Sequence, residues 1–249
     1  MESKFDIIHS LSIHYPTASK IAENDVSPVA IHYISRSWRS VLLRSCRSQR
    51  DRLILRMGCE VGLRAKENCG LLLNTHMAKN IRQNGLIDLF NQLEKYPFRN
   101  KFEFMLSGRY SKRGRSRLIY FDRELLTAIR HYYETERSVI VRKAKNDPDS
   151  LFLNTDNRYF GKPISETRAS LIFSGYARKL ELFDKSYVYH DLRHSFATEL
   201  FHSELNHRGS QTSALLEVKK RLGHVYIRST HIYIQLRQTM MSEVEKGLE

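Results

Sequence analysis

The most informative stretch of this 249-residue chain is HDLRH, at residues 190–194. It is followed by LGH at residues 222–224 and, nine residues after that histidine, by Tyr233. Residues three apart lie on one face of a helix, so His190 and Arg193 are expected to lie side by side. The set contains an anion binder, proton carriers and a hydroxyl nucleophile, without a recognisable metal cage. It points to chemistry on a phosphodiester.

The composition is that of a folded and strongly basic protein. Hydrophobic residues make up 41% of the chain and there are only 5 prolines, so the chain can bury a sizeable core. The formal charge of +14 at pH 7 makes a polyanion the first expected partner, although a solvated basic surface would have the same charge. No apolar run approaches the roughly 20 residues that a membrane-spanning helix requires.

The three cysteines and the histidines do not form a recognisable metal or disulfide pattern. Cys46, Cys59 and Cys69 are odd in number and include no Cys-x-x-Cys pair, which argues against a disulfide framework and a zinc knuckle. No carboxylate or cysteine completes a zinc site with His190 and His224 at a familiar spacing. We therefore expect no metal site, and free thiols in a reducing cytosol.

Hydrophobic periodicity predicts a fold that is mainly α with a small antiparallel β-sheet (α+β). Residues 101–121 alternate between apolar and polar side chains and contain two glycines, which predicts a β-hairpin with a basic turn. Residues 143–163 carry loop signals. Helical patterns cover residues 30–57, 85–96, 124–133, 165–182, 191–204 and 212–222.

Two basic clusters are candidates for contact with nucleic acid. The hairpin turn holds five cations in nine residues without an acid, and seven arginines lie between residues 36 and 56 against one acid. A charged edge strand or a solvated helix face would give the same pattern, so both interpretations stay open. The candidate phosphate contacts are Arg44, Arg47, Arg109, Arg113, Arg115 and Arg117.

Tyr233 and two arginines are the candidates for the central chemistry. A phenol has a reference pKa of about 10, and surrounding cations would favour the more reactive phenolate. Arg64 and Arg193 could hold the non-bridging oxygens of a phosphoryl group in two-pronged contacts. Each residue taken alone is more often structural: the chain has 13 tyrosines, Arg64 could cap a helix, and Arg193 could pair with Asp191 or Glu199.

His190, His224 and Lys112 could supply protons. The histidines can exchange protons near neutral pH or donate hydrogen bonds to phosphate. Lys112 lies in the predicted hairpin turn, where a flexible ammonium could protonate a leaving oxygen. A structural histidine and an ordinary surface lysine are the competing interpretations.

Taken together, these motifs resemble those of the tyrosine recombinase (phage integrase) family. The catalytic domain of that family carries Gly-Leu-Arg-x-x-Glu, a lysine on a β-hairpin, His-x-x-Arg, Leu-Gly-His and then the nucleophilic tyrosine. In this chain they stand, in that order, at residues 62–67, Lys112, residues 190–193, residues 222–224 and Tyr233. The match covers roughly residues 30–240. HDLRH followed by LGH and Thr-x-x-Tyr is a specific combination, whereas the first motif alone would be weak.

The resemblance implies a tyrosine recombinase catalytic-domain fold and a defined reaction. Tyr233 would attack a scissile DNA phosphate, form a 3′-phosphotyrosyl link and release a 5′-hydroxyl, without metal, ATP or another cofactor. The roles that the family implies for the other motif residues are phosphate binding by Arg64, Arg193 and His224, general acid catalysis by Lys112, proton transfer by His190, and orientation of Arg64 or His190 by Glu67.

The resemblance also implies partners and a domain plan. The partner would be double-stranded DNA, with a homotetramer assembled on two recombination sites from cytoplasmic protomers that are monomeric without DNA, and with no membrane partner. We expect residues 1–25 to be an arm or linker and residues 26–249 to be the catalytic domain, with a C-terminal helix from about residue 235. We expect no N-terminal core-binding domain of the kind usual in the family, so that the chain is either a fragment or resembles the short, single-domain recombinases of the fimbrial phase-variation type. Residues 204–213 are expected to form an inserted loop.

Two alternatives share parts of this pattern. A DNA-binding regulator could keep the fold and the basic surface without turnover, although the intact catalytic set argues against it. A type IB topoisomerase-like enzyme would use the same phosphotyrosine step to relax DNA, although the LGH motif and the short chain favour a recombinase.

Overall fold

Eight α-helices and two antiparallel hairpins make up the residues that the computed structural model describes, which are 32–78, 81–111, 114–180 and 187–223. The predicted fold, mainly α with a small antiparallel sheet, is confirmed. The predicted arm and the predicted C-terminal helix lie outside the described residues. The elements are α1 (Arg36–Ser45), α2 (Gln49–Arg56), β1 (His76–Ala78), β2 (Ile81–Gln83), α3 (Leu86–Lys95), β3 (Lys101–Leu106), β4 (Arg117–Asp122), α4 (Arg123–Tyr132), α5 (Ser138–Ala144), α6 (Arg168–Lys179), α7 (Tyr189–Arg208) and α8 (Gln211–Leu222).

The segment predicted as one helix over residues 30–57 is divided into α1 and α2. Ser48 begins the second helix, because its side-chain oxygen accepts a hydrogen bond from the backbone N–H of Asp51 at 3.1 Å. The phenol of Tyr176 on α6 accepts a hydrogen bond from the backbone N–H of Arg47 at 3.1 Å, which fixes the corner between the two helices. α2 then runs directly into a π-helical turn, Met57–Val61.

Gly62 ends that turn and directs the chain toward Arg64. Its φ of 71° lies in the left-handed region, which a residue with a Cβ adopts only with strain. A Cβ placed there would lie 2.5 Å from a ring carbon of Phe196 on α7. The absence of a side chain therefore lets the turn pack directly on α7.

The core consists of two apolar clusters that meet near this turn. The larger cluster joins α1–α4, α6, the β3–β4 hairpin and the first turn of α7. The smaller one fills the space between α7 and α8 and contains Phe196, Ala197, Phe201, Ala214, Leu215, Val218 and Leu222. α8 returns along α7, so the end of α8 lies beside the first turns of α7. In the part of the chain that the structure describes, no helix has the length and apolarity to cross a membrane.

The predicted loop over residues 204–213 is wrong. α7 continues to Arg208, and only Gly209 and Ser210 separate it from α8. The helix continues because Leu205 extends its apolar face onto the smaller cluster. The exposed Glu204–Arg208 pair, one turn apart, adds only a small stabilisation.

The predicted hairpin is formed by β3 and β4, which pair from Lys101↔Asp122 to Leu106↔Arg117. Alternate residues of both strands are buried, as the period-2 pattern predicts. The β1–β2 hairpin was not predicted, because three-residue strands are too short to show a recognisable alternation.

Replacement of Gly62 by alanine should lower stability by more than the same change at Gly209. Both glycines have left-handed backbone (φ 71° and 67°), but a Cβ at residue 209 meets nothing within 4 Å. Gly209→Ala should therefore cost about 1 kcal/mol from backbone strain. Gly62→Ala should cost roughly 3 kcal/mol, because overlap with Phe196 is added to that strain. Urea unfolding of both variants measures the difference, and equal losses would contradict the proposed packing of the turn on α7.

Candidate functional site

The buried carboxylate of Glu67 is the centre of the site. Glu67 is 0% exposed and lies in a 3-10 turn, Ala65–Gly70. One carboxylate oxygen accepts a hydrogen bond from Arg64 Nη1 at 2.9 Å, and the other accepts one from Arg117 Nη2 at 2.7 Å. Arg193 Nη1 lies 3.6 Å from the same oxygen as Arg117. Three arginines from three separate elements thus surround one carboxylate, and we call this group the arginine cluster.

The arginine cluster keeps Glu67 ionised. Burial alone would raise the pKa of Glu67, but the nearby charges of Arg117, Arg193 and Arg64, together with the Arg117 hydrogen bond, outweigh burial and lower it. Three guanidinium groups and one carboxylate have a net charge of +2 (3 − 1). A site with this excess in a low-dielectric setting attracts an anion.

Arg64 is the most exposed arginine of the cluster. It precedes the 3-10 turn, and its backbone N–H donates to the Glu67 carboxylate at 2.8 Å. Its side chain is 25% exposed, compared with 6% for Arg117 and 1% for Arg193. The backbone of Arg64 therefore belongs to the start of the 3-10 turn, while its partly exposed side chain could still reach a phosphate.

Arg193 is buried and binds backbone carbonyls on two sides. Its Nη1 donates to the carbonyl of Gly62 at 2.5 Å, and its Nη2 donates to that of Leu222 at 2.7 Å. Arg193 therefore joins α7 to the turn before Arg64 and to the end of α8. Of its suggested partners, Glu199 instead binds Tyr33, Arg36 and Arg39.

The first turn of α7 is fixed by two side chains next to His190. The phenol of Tyr189 donates to the carbonyl of Ile54 at 3.0 Å and accepts from the amide of Asn68 at 3.0 Å. Burial raises the pKa of Tyr189, so this phenol stays protonated. The carboxylate of Asp191 accepts from the backbone N–H of Val188 at 2.8 Å, and burial raises the pKa of that carboxyl. The Asn68 contact places α7 against the turn that holds Glu67, the Ile54 contact joins α7 to α2, and the Asp191 contact satisfies a backbone N–H at the start of α7.

His190 lies at the surface of α7. Its ring meets that of His194 edge-on, with centroids 4.4 Å apart. His190 and Arg193 share the helix and spacing that the sequence predicts, but His190 is exposed and Arg193 is 1% exposed. His190 therefore faces solvent, whereas Arg193 lies in the interior.

Arg117, which the sequence predicts as a DNA contact, does not lie at the surface of the structure. Its side chain is buried, and its guanidinium binds Glu67 and the backbone carbonyl of Arg221. It points inward because β4 alternates and residue 117 lies on the buried face. By contrast, Arg44, Arg47, Arg109 and Arg115 are exposed.

Several predicted site residues lie outside the described residues, namely Lys112, Arg113, His224 and Tyr233. The structure brings together Arg64, Glu67 and Arg193, and it places His190 on the helix that carries Arg193. Sequence reasoning missed Tyr189 and Asn68 as supports of the site. Their only signal was proximity along the chain to His190 and Glu67, because their mutual contact spans 121 residues.

The cysteines and potential metal ligands form no further site in the described ranges. Cys46, Cys59 and Cys69 are free thiols. Burial raises the pKa of Cys46 and of Cys59 to about 12, so these thiols are poor nucleophiles. No group of three or more metal-ligating His, Cys, Asp or Glu side chains occurs among the residues that the structure describes.

Comparison with known proteins identifies the family. The phage integrase family model matches residues 32–240. The chain belongs to the phage integrase family. Transposase A of transposon Tn554 from Staphylococcus aureus is 26% identical over 210 residues, which cover 84% of this chain and 50% of that protein. Tyrosine recombinase XerC of Roseiflexus castenholzii is 31% identical over 125 residues, which cover 50% of this chain and 35% of that protein.

The fold is also that of solved recombinases. The crystal structure of the XerH site-specific recombinase bound to palindromic difH substrate, a post-cleavage complex, matches with a TM-score of 0.57 and 17% identity. The match covers 86% of this chain and 52% of XerH. The predicted tyrosine recombinase catalytic-domain fold is therefore confirmed. The chain spans about half the length of the relatives that it matches along most of its own length.

Replacement of Glu67 by glutamine should destabilise the fold in a pH-dependent way. The change leaves three buried or half-buried guanidinium groups without their shared carboxylate, which should lower stability at pH 7 by roughly 3 kcal/mol. Because the pKa of Glu67 is lowered by folding, its stabilisation is complete above the usual glutamate pKa and disappears as the pH falls through the lowered value.

Urea unfolding of wild type and Glu67→Gln at several pH values tests this expectation. The gap between the two should be largest near neutrality and should close in acid. Glu134→Gln serves as a control, because Glu134 pairs with Arg130 at the surface and such pairs contribute little. A gap for Glu67→Gln that does not change with pH would show that its charge does not stabilise the fold.

Proposed function

We propose that this chain is the catalytic part of a site-specific DNA recombinase that cleaves and rejoins DNA strands through Tyr233. The proposal rests chiefly on the arginine cluster, where Arg64 and Arg193 meet at one ionised carboxylate. Membership of the phage integrase family supports it, as does similarity to proteins named tyrosine recombinase. The motif order along the chain also agrees with that activity.

The proposed reaction exchanges one phosphodiester for another. The phenolate oxygen of Tyr233 attacks the scissile phosphorus and forms a 3′-phosphotyrosyl bond. The bond from phosphorus to the 5′-oxygen breaks, and the electron pair of that bond stays on the oxygen. Lys112 then protonates this oxygen. The 5′-hydroxyl of a second strand then reverses the attack. The energy of the original bond is kept in the covalent intermediate, so the reaction needs neither ATP nor a metal.

The arginine cluster would stabilise the charge on the phosphoryl group. Arg64, Arg193 and His224 are proposed to bind the non-bridging oxygens, and His190 is proposed to transfer protons. The exposure of Arg64 and His190 suits groups that contact DNA directly. The two carbonyls that hold Arg193 fix its guanidinium before substrate binds, and such preorganisation is a main source of catalytic power.

Exposed arginines would contact the DNA backbone. The proposed contacts are Arg44, Arg47, Arg109, Arg113 and Arg115; of these, all but Arg113 are described and exposed. The formal charge of +14 favours double-stranded DNA as the partner. A recombinase of the same fold, XerH, is bound to a palindromic difH substrate. We further propose a homotetramer on two recombination sites, formed in the cytoplasm from protomers that are monomeric without DNA.

Tyr233→Phe should abolish covalent attachment to DNA. A binding site is first selected from a random-sequence duplex library, and a nicked duplex of that site traps the cleaved strand. Wild type should form an adduct that survives denaturing electrophoresis, whereas Tyr233→Phe should form none, because the phenylalanine ring has no oxygen to attack with. Tyr159→Phe is the matched control, since Tyr159 is exposed and outside the motifs.

Three other outcomes would point away from Tyr233 as the nucleophile or from recombination as the function. An adduct from Tyr233→Phe would show that another residue is the nucleophile. A wild-type chain that binds its selected site and never forms an adduct would support the DNA-binding regulator instead. Relaxation of supercoiled DNA without strand exchange would support the topoisomerase-like alternative.

Arg193→Ala should remove cleavage while most of the affinity for duplex DNA remains. The exposed arginines supply the phosphate contacts that dominate affinity, and Arg193 is buried. Loss of its guanidinium should lower single-turnover cleavage on the order of 100-fold or more. Gel shifts and adduct formation measured on the same duplex separate the two effects. Equal losses of binding and cleavage in a variant whose melting temperature shows that it is folded would assign Arg193 to DNA binding alone.

A further inference from the structure

We propose that Arg117 is a positioning residue of the cleavage reaction, which holds the hairpin that carries Lys112, the turn that carries Arg64 and the end of α8 in one arrangement. This inference rests on the proposed recombinase function. It replaces the DNA-contacting role that the sequence predicted for Arg117. It concerns a residue that acts through its neighbours, because its guanidinium is buried among protein groups.

The contacts of Arg117 extend to two elements other than its own. Arg117 is the first residue of β4, and its Nη2 donates to the Glu67 carboxylate at 2.7 Å. Its Nη1 donates to the backbone carbonyl of Arg221, near the end of α8. A single guanidinium has donors in a fixed fork, so both acceptors must keep their places relative to β4.

The stem of Arg117 also packs on the end of α8. Gly223 follows α8 with a φ of 65°, and a Cβ there would lie 2.6 Å from Cδ of Arg117. The chain therefore passes the Arg117 side chain immediately before His224. Because the LGH motif has glycine at this position, it allows this close approach.

A second contact joins the same two elements. The guanidinium of Arg221 lies 4.3 Å from the ring centroid of Tyr120 on β4, and the ammonium of Lys101 lies 4.1 Å from it. Arg221 thus contacts β4 through its side chain and accepts from Arg117 through its backbone. The hairpin and the end of α8 are held together at two adjacent points.

Removal of the Arg117 charge would act on the reaction through Glu67. Within the described ranges, the ionisable groups that face Glu67 are Arg64 from its own turn, Arg117 from β4, and Arg193 with the Tyr189 phenol from α7. Without Arg117, less positive charge offsets the effect of burial, and the pKa of Glu67 increases. A protonated Glu67 holds Arg64 less firmly. Cleavage should then become more sensitive to acid than in wild type.

The test compares Arg117→Met, Arg117→Lys and Arg123→Met in the full chain. The probe is the nicked duplex of the selected binding site, at saturating concentration. Arg123 is the matched control because its guanidinium also binds backbone carbonyls, those of Leu93, Tyr96 and Arg99, away from Glu67. Its loss should affect stability without a pH-dependent effect on cleavage. Melting temperatures are measured for all variants.

Arg117→Met should cleave on the order of 100-fold more slowly at neutral pH, with DNA affinity within about threefold of wild type. The ratio of wild-type to Arg117→Met rates should increase as the pH falls. Arg117→Lys keeps a positive charge near Glu67 but cannot reach both acceptors, so its rate should be intermediate and its ratio to wild type independent of pH. If Arg117→Met is too unstable to assay, Arg117→Lys decides, and a wild-type rate for it would overturn the proposal.

Other results would also overturn the positioning role. One such result is a loss of cleavage in Arg117→Met that is fully explained by its loss of DNA affinity. Another is a ratio of wild-type to variant cleavage rates that depends on pH for Arg123→Met as well as for Arg117→Met. Carbon-13 titration of the Glu67 carboxyl, assigned with Glu67→Gln, tests the coupling without DNA, and an unchanged Glu67 pKa in Arg117→Met would refute it. Failure of wild type to form an adduct would instead refute the proposed recombinase function.

Discussion

The ion contact between the buried Glu67 carboxylate and its arginines is the constraint on which the site depends. Transfer of a carboxylate out of water is unfavourable by several kcal/mol, so the fold is stable only where cations surround it closely. Those cations come from the turn before the 3-10 helix, from β4 and from α7. All three elements therefore contact the same carboxylate, and movement of any one of them would weaken its ion contact with Glu67. The same contact that fixes the fold also aligns the arginines of the motif.

Helix α7 transmits this constraint to the rest of the site. Tyr189 fixes its first turn on α2 through the Ile54 carbonyl, and Phe196 packs on Gly62 one helical turn beyond Arg193. A residue on a packed helix is positioned more accurately than one on a loop. Arg193 lies between these two anchors, where its two carbonyl contacts define the plane of its guanidinium. Backbone carbonyls, which side-chain substitutions leave in place, thus orient the guanidinium of Arg193.

Much of the fold and part of the site could be predicted from the sequence. Periodicity located α3, α4 and the β3–β4 hairpin, because each buries one face on the core. The resemblance to the tyrosine recombinase family, carried by the motifs, implied that Arg64, Glu67 and Arg193 belong to one site. The inward orientation of Arg117 was missed because the basic pattern assigned this residue to the turn; as the first residue of β4 it lies on the buried face and meets a carboxylate 50 residues away. The extension of α7 past residue 204 depends on tertiary packing, which local loop signals do not report.

Salt screens the exposed arginines of this chain more strongly than the buried ones. Mobile ions screen the exposed side chains, because charges at a surface interact over about one Debye length, roughly 8 Å at physiological ionic strength. The buried members of the arginine cluster face a carboxylate at hydrogen-bond distance, where added salt has little access. Attachment to a polyanion can therefore weaken with salt while the geometry around Glu67 persists. In the proposed recombinase, affinity for DNA could therefore change with salt without rearrangement of Arg64 and Arg193, the arginines proposed to bind the phosphate.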